Sequence, residues 1–392
     1  MEDKKNKGLR TKYFFIGVLT ACMAIAFLYF LAMWLPLGGS PSKPDSIQSQ
    51  RKIKEIQRLI DKNYLGEVDE QKQTDYMYLG LVAGLGDPYS TYYTEEEYES
   101  VKKEQEGSYV GIGITIAQQD QDGSLVVLAC VEDSPAAKAG VQVGDQITAI
   151  NGESTEGMTS SQAVELIQKS GEEQIHLTLT REGSEDPISL QVIRETVEIK
   201  SVESEILDKD MGYIKITEFT GVTSQQFEEA YSQLQGEKIK SLIIDLRDNP
   251  GGLVDAVCDT LSQILPKGVI VYTEDKDGNR KERDCEGKTP IEIPLVVLVN
   301  GNSASASEIF AGAVQDYEIG TIVGTTTYGK GIVQNTYHLS DGSVVKLTVS
   351  HYYTPKGQDI HGSGITPDVE VEQPEDSTTD VQLEKAKEVL KG

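Results

Sequence analysis

SLIIDLRDNPGGLVDAV, residues 241–257, opens as an unbroken apolar run and breaks into a turn with two glycines. An apolar run without alternation marks a strand covered on both faces, as in a parallel sheet. IPLVVLVN, residues 293–300, repeats the pattern. From about Ser201 onward the chain alternates strands and helices. MGYIKITEF alternates like a half-buried strand, and SQQFEEAYSQLQ sets Phe227, Ala230, Tyr231 and Leu234 on one helical face. The reading is an α/β core with a central sheet. Asp248-Asn249-Pro250-Gly251-Gly252 would then sit at the C-terminal end of a buried strand, where open α/β sheets place ligands. The N–H of Gly251 or Gly252 can face a developing oxyanion. Tight strand-to-helix turns are common, so this turn alone decides nothing.

The second apolar strand runs into GNSASASEIFAGAVQDY, residues 301–317. A hydroxyl at a helix start has free backbone donors beside it and the positive end of the dipole behind it. Ser305-Ala306-Ser307-Glu308 also fits a capping box, and a cap serine needs no chemistry. A nucleophilic serine needs a base. His176, His338, His351 and His361 are the four histidines, and none lies in a motif that presents it to a serine. TIVGTTTYGKGIVQ, residues 321–334, sets Lys330 between two glycines that let the chain turn and aim the side chain inward. A lysine acts as a base only when neutral, which apolar burial can bring about. Gln334 follows four residues on, placed to orient the amine.

Upstream the texture changes to short strands with glycine turns. SPAAKAGVQVGDQITAING, residues 134–152, preceded by Gly111, Ile112, Gly113 and Ile114, resembles a PDZ domain. In that family the GIGI position is the carboxylate-binding loop. Its glycines let backbone N–H groups converge on an anion, and an exposed strand edge accepts a peptide as an added strand. Val164 and Ile167 on the following helix are candidates for the specificity pocket.

DNPGG, SASASEIFAGA and YGKGIVQ, in this order after such a domain, resemble the carboxyl-terminal processing peptidases, or tail-specific proteases. The resemblance covers about residues 50–390 and extends to spacing, with serine and lysine 25 residues apart and a glutamine four after the lysine. It implies Ser305 as nucleophile, Lys330 as general base and Gln334 as orienting residue. It implies an oxyanion hole from Ala306 N–H and a glycine N–H of Gly251 or Gly252, with Ser303 and Ser307 structural and Ser303 taking over the cap. The PDZ domain would capture the free C-terminus of a protein or peptide substrate, and its occupancy would align the proteolytic site. Relatives often carry an arginine at the end of the PDZ helix; here Lys169 is the possible stand-in. Some relatives dimerise through N-terminal helices and C-terminal segments, so a homodimer is a further implication. A catalytically silent PDZ scaffold and a histidine-based serine hydrolase are the rival readings.

Length, charge and termini set the frame. The chain has 392 residues and a net charge of −27, which argues against nucleic acid and broad adhesion to anionic lipid. Phe14–Trp34 carries no charge and follows a lysine-rich start, which reads as one transmembrane helix with the N-terminus cytoplasmic. The expectation is therefore a single-pass plasma-membrane protein with an extracytoplasmic catalytic domain. Its division is 1–12 cytoplasmic tail, 13–36 transmembrane helix, 37–50 linker, 51–106 helical region, 107–197 PDZ domain, 198–370 protease core and 371–392 C-terminal tail and helix. Cys258 and Cys285 form a possible disulfide in an oxidising compartment. With no CxxC or HExxH motif, a metal site has no support, and no cofactor is called for.

Overall fold

The computed structural model describes residues 43–119, 123–169, 174–374 and 376–391. The chain divides into two compact units, residues 1–74 and 75–392. The first contains α1 (Ile47–Asn63), capped by the Ser46 hydroxyl, which accepts from Ser49 N–H at 3.1 Å. None of its residues is buried, and Ile53, Ile56 and Leu59 form an exposed apolar face. Helix α2 (Glu70–Ala83) spans the division.

One expectation is corrected. Among the described residues no helix is long and apolar enough to cross a membrane. The apolar stretch 14–34 lies outside the described residues. The transmembrane helix and the single-pass plasma-membrane localisation are accordingly withdrawn.

The second unit continues with β1 (Thr91–Tyr93) and α3 (Glu95–Glu106). At the start of α3, Thr94 and Glu97 close a capping box. Strand β2 (Ser108–Gly111) pairs antiparallel with the later β9 (Glu195–Glu198), making a ribbon that frames the PDZ-like segment. That segment comprises β3 (Ile114–Gln118), β4 (Leu125–Cys130), α4 (Pro135–Ala139), β5 (Gln146–Ile150), β6 (Glu153–Ser154), α5 (Ser160–Lys169), β7 (Gln174–Thr180) and β8 (Ile188–Ile193). Its sheet runs β3-β4-β5-β7-β8, so β3 lies at an edge. Arg181 locks the fold by donating to the buried Asp145 carboxylate at 2.6 and 2.8 Å.

The core follows with β10 (Val202–Leu207), β11 (Met211–Ile216), α6 (Thr223–Gly236), β12 (Ser241–Asp245), α7 (Val254–Leu261), β13 (Gly268–Asp275) and β14 (Arg280–Cys285). It ends with β15 (Leu295–Val299), α8 (Ala306–Asp316), β16 (Thr321–Gly324), β17 (Ile332–His338), β18 (Val344–Tyr353), β19 (Val369–Glu370) and α9 (Val381–Lys391). The central sheet is ordered β10-β11-β12-β15-β16-β19 and is parallel from β11 onward. Alternate residues feed opposite faces, as a two-sided strand requires. Leu242, Ile244, Val297 and Val299 join one core with Phe227, Val257 and Phe310. Ile243, Val296 and Leu298 join another with Ala386 of α9. Register sets Asp245, Leu298 and Val323 side by side, so β12, β15 and β16 release their loops at one level. A second, antiparallel sheet is built on β18, which pairs with β1, β13 and β17.

Cys258 and Cys285 are free, buried thiols rather than a disulfide. Cys285 Sγ donates to Pro266 O at 3.0 Å, and burial pushes the Cys258 thiol up to about 11.

Arg247, just past β12, forks onto two carboxylates. It reaches Asp245 at 2.6 Å and both oxygens of Asp380 at 2.8 Å, tying α9 to the loop after β12. The Asp245 side chain is 1% exposed and also accepts from the Tyr213 hydroxyl at 2.7 Å. Removing the cation strands a buried carboxylate. Arg247→Leu should therefore cost the core about 3–5 kcal/mol, read by urea denaturation. Asp380→Ala, whose partner keeps Asp245, should cost less.

Candidate active site

Two turns leave the parallel sheet beside each other and are sewn together by polar groups. Asn249 Nδ2 donates to Ile216 O at 2.9 Å, while Asn249 O accepts from Ala304 N–H and Ser307 Oγ, both at 3.0 Å. The Asp248 carboxylate accepts from Asn300 and Asn302 at 2.9 and 2.8 Å, which holds it below the usual carboxylate range. Ser303 Oγ donates to Leu246 O at 2.8 Å and accepts from Asn300 N–H at 2.9 Å. The hydroxyls of Ser303 and Ser307 are thus consumed by the scaffold. The expected transfer of the helix cap to Ser303 does not occur.

Ser305 differs from both. It precedes α8 at φ 55°, ψ −110°, a conformation that costs a non-glycine residue about 1–3 kcal/mol. Glu308 N–H donates to the Ser305 carbonyl oxygen at 2.9 Å, and the Glu308 carboxylate accepts from the Ser305 N–H in return. The neighbouring Tyr352 phenol is pushed far above its usual range by burial and by the Cys258 thiol, and a hydrogen bond with Ser305 partly offsets this.

Glu308 holds the site together. Its carboxylate is fully buried and accepts four hydrogen bonds. One oxygen takes Thr327 Oγ1 at 2.6 Å and Gly329 N–H at 2.7 Å. The other takes the Ser305 and Lys330 N–H groups, both at 2.8 Å. The main chains of Ser305 and Lys330 therefore meet on one oxygen atom. Gly331 allows the loop to pass the main chain of His361, since a Cβ there would lie 2.3 Å from His361 N.

The side chains of the expected set are engaged separately. Among the described residues no hydrogen bond links Ser305, Lys330 and Gln334 through their side chains. Lys330 Nζ lies 4.6 Å from the centroid of the Tyr89 ring. Burial, and then Lys346, lower its pKa, while Glu308 and Asp87 pull the other way. Gln334 Nε2 turns to Thr348 Oγ1 at 3.3 Å and to Ile332 O at 3.4 Å. None of the four histidines hydrogen-bonds Ser305 among the described residues.

Gly251, at φ 111°, packs beside the serine: a Cβ there would meet Ser305 Cβ at 2.9 Å and Ala306 N at 3.0 Å. Its own N–H is taken by Asn249 Oδ1 at 2.8 Å. The N–H groups of Gly252 and Ala306 have no hydrogen-bond partner among the described residues.

In the PDZ-like segment, Gly111, Ile112 and Gly113 are buried and Ile114 opens β3. Ile167 is 6% exposed and belongs to that segment's core, whereas Val164 is 38% exposed beside it. Lys169 ends α5, and its side chain lies outside the described residues. Arg194, missed in the sequence, caps that helix by donating to Gln168 O at 2.5 Å and Ile167 O at 3.3 Å. Glu308 was legible only as a capping-box residue. Its tie to Lys330 has no local sequence signal.

Glu308→Gln keeps the shape but offers one acceptor oxygen to four donors. At least one buried donor pair then faces an amide N–H. The expected loss is about 2–4 kcal/mol, measured by urea unfolding of the full chain.

Residues 210–371 match Peptidase family S41, residues 126–181 a PDZ domain, and residues 38–97 the activating protease CtpB N-terminal domain. The carboxy-terminal processing protease CtpA of Bacillus subtilis (strain 168) is 35% identical, with 93% of this chain and 78% of the relative covered. The carboxyl-terminal-processing protease of Synechocystis sp. is 31% identical, with 98% and 95% covered. Among solved structures, the photosystem II D1 C-terminal processing protease is 31% identical with a TM-score of 0.48, covering 88% of this chain and 92% of that one. With sequence likeness of this extent over nearly its whole length, the chain is a serine peptidase and belongs to family S41, the carboxy-terminal processing proteases.

Proposed function

We propose that Ser305 is the nucleophile and Lys330 its general base, and that the PDZ domain presents the C-terminus of a protein substrate to them. The observation that carries this reading is the strained Ser305, whose main chain shares one Glu308 oxygen with that of Lys330. Strain of this kind persists where surrounding structure enforces it, and it clusters at reacting groups.

Neutral Lys330 takes the Ser305 proton as the hydroxyl attacks a peptide carbonyl. Ala306 N–H, together with Gly252 N–H, receives the oxyanion; the Gly251 N–H is already engaged. The lysine then protonates the leaving amine, and water releases the acyl group by the reverse sequence. Gln334 orients the amine once it leaves Thr348. The free edge of β3 accepts the substrate as an added strand, and the Gly111–Ile114 loop takes its carboxylate. Val164 lines the side-chain pocket, since Ile167 is committed to the core. The unjoined dyad is the idle state of the enzyme, and peptide in the groove brings its members together.

Mass spectrometry of β-casein digested by the full chain tests the assignment. Ser305→Ala and Lys330→Ala should abolish cleavage while remaining folded, whereas Ser303→Ala should still cut. Cleavage by Ser305→Ala would remove the nucleophile.

The pH profile gives a second test. Burial lowers the Lys330 pKa, and the neutral amine is the active form, so activity lost in acid returns as pH rises. The acid limb of kcat/KM should have its midpoint below the ordinary lysine value of 10.5. A peptide with a free apolar C-terminus should bind and its amidated form should not, as read by calorimetry.

A further inference from the structure

The turn Gly86-Asp87-Pro88-Tyr89-Ser90 lies more than two hundred residues from the base in sequence, yet it abuts it in space. It is rigidly held. Asp87 Oδ1 accepts from Tyr89 N–H at 3.0 Å and Oδ2 from Ser90 Oγ at 2.6 Å. Ser90 Oγ in turn accepts from Thr348 N–H at 3.0 Å, and β1 pairs directly with β18. Thr348 is also the residue that holds Gln334. The Tyr89 hydroxyl hydrogen-bonds Tyr328, two residues before Lys330. The ring is thereby fixed in place, with Lys330 Nζ over it at 4.6 Å.

We propose that Tyr89 is a positioning residue for Lys330: its ring face holds the ammonium in the free enzyme and so sets the pH at which the base becomes available. The inference rests on the Ser305/Lys330 reading. An aromatic face attracts the charged lysine and does nothing for the neutral amine. Every other charged group facing Lys330 is accounted for: Lys346 from β18 disfavours its charge, while Glu308 from α8 and Asp87 from the turn favour it. His361 faces Asp87 in turn. Deprotonation releases the amine from the ring, and the neutral form is the one that can accept the Ser305 proton. The same contact therefore keeps the enzyme idle and couples its release to proton loss.

The test is the rate at which an alkyl fluorophosphonate labels Ser305 in the full chain, followed against pH. The serine oxygen forms the new bond to phosphorus, fluoride departs, and Lys330 takes the proton. Tyr89→Phe keeps the ring face and should keep the wild-type midpoint. Tyr89→Leu keeps the apolar cover but removes the ring. Its midpoint should fall by about half a unit to one unit, so labelling on the acid side rises about threefold to tenfold. A wild-type midpoint in Tyr89→Leu, or equal shifts in Phe and Leu, overturns the proposal. If Tyr89→Leu does not fold, Tyr89→Trp, with a stronger face, must raise the midpoint, and an unmoved midpoint overturns it equally. Lys330→Ala separates the two readings. If it labels as fast as wild type, the dyad itself falls and this inference with it. If it does not label while Tyr89→Leu leaves the midpoint in place, only the role of Tyr89 falls.

Discussion

A carboxylate buried with no ion pair among the described residues governs this site. Glu308 sits in the first turn of α8, where the helix dipole favours a negative charge. Four N–H and O–H donors replace its water shell. Burying a charge is costly unless its hydrogen-bonding capacity is filled, so those four bonds are obligatory. Their effect is to fix the main chain of the β15–α8 loop against that of the β16–β17 loop. The two loops are thereby joined into one corner. The Ser305 hydroxyl and the Lys330 ammonium remain outside the clamp.

The parallel sheet explains why the corner exists where it does. Register brings β12, β15 and β16 to a common level, so the loops that follow them emerge as neighbours. Ser303 and Ser307 then spend their hydroxyls joining the first loop to the second, while the Asn249 side chain ties the first loop to the end of β11. That bonding is strong enough to hold Ser305 at positive φ. The antiparallel sheet contributes differently. Lys330 lies two residues before β17, Gln334 lies on it, and β1 adds the Tyr89 turn to the far side of β18.

Much of this was legible in the sequence because it is local. The unbroken apolar runs announced strands covered on both faces, and the two cores confirm why alternate residues must both be apolar. The three alternating serines were legible as a set, but their division of labour was not. The capping box and the nucleophile looked like competitors. In the structure Glu308 accepts from the Ser305 N–H, so the box is closed at least in part through the main chain. Val164 and Ile167 share a helical face at sequence level, yet a rotation of about 60° between them is enough to put one at the rim and the other in the core. Nothing local in Gly86-Asp87-Pro88-Tyr89-Ser90 records that its tyrosine will meet a lysine more than two hundred residues away. The disulfide failed for a similar reason: spacing cannot show that Cys285 would instead donate to Pro266 O.

The lysine's environment is a balance, and the balance has a mechanistic consequence. Burial and Lys346 favour the neutral amine; Glu308, Asp87 and the Tyr89 face favour the ammonium. A site that desolvated the lysine without opposition would hold a neutral base beside a primed serine at all times. A site that paired it with a carboxylate would hold it charged and inert. Glu308 avoids the second outcome because its oxygens are filled by main-chain and threonine donors rather than by the ammonium. On the proposed reading, the weaker attraction of the Tyr89 face parks the charge. An interaction of that size is small enough for substrate-driven rearrangement to overcome, which a full ion pair in the same pocket would not be.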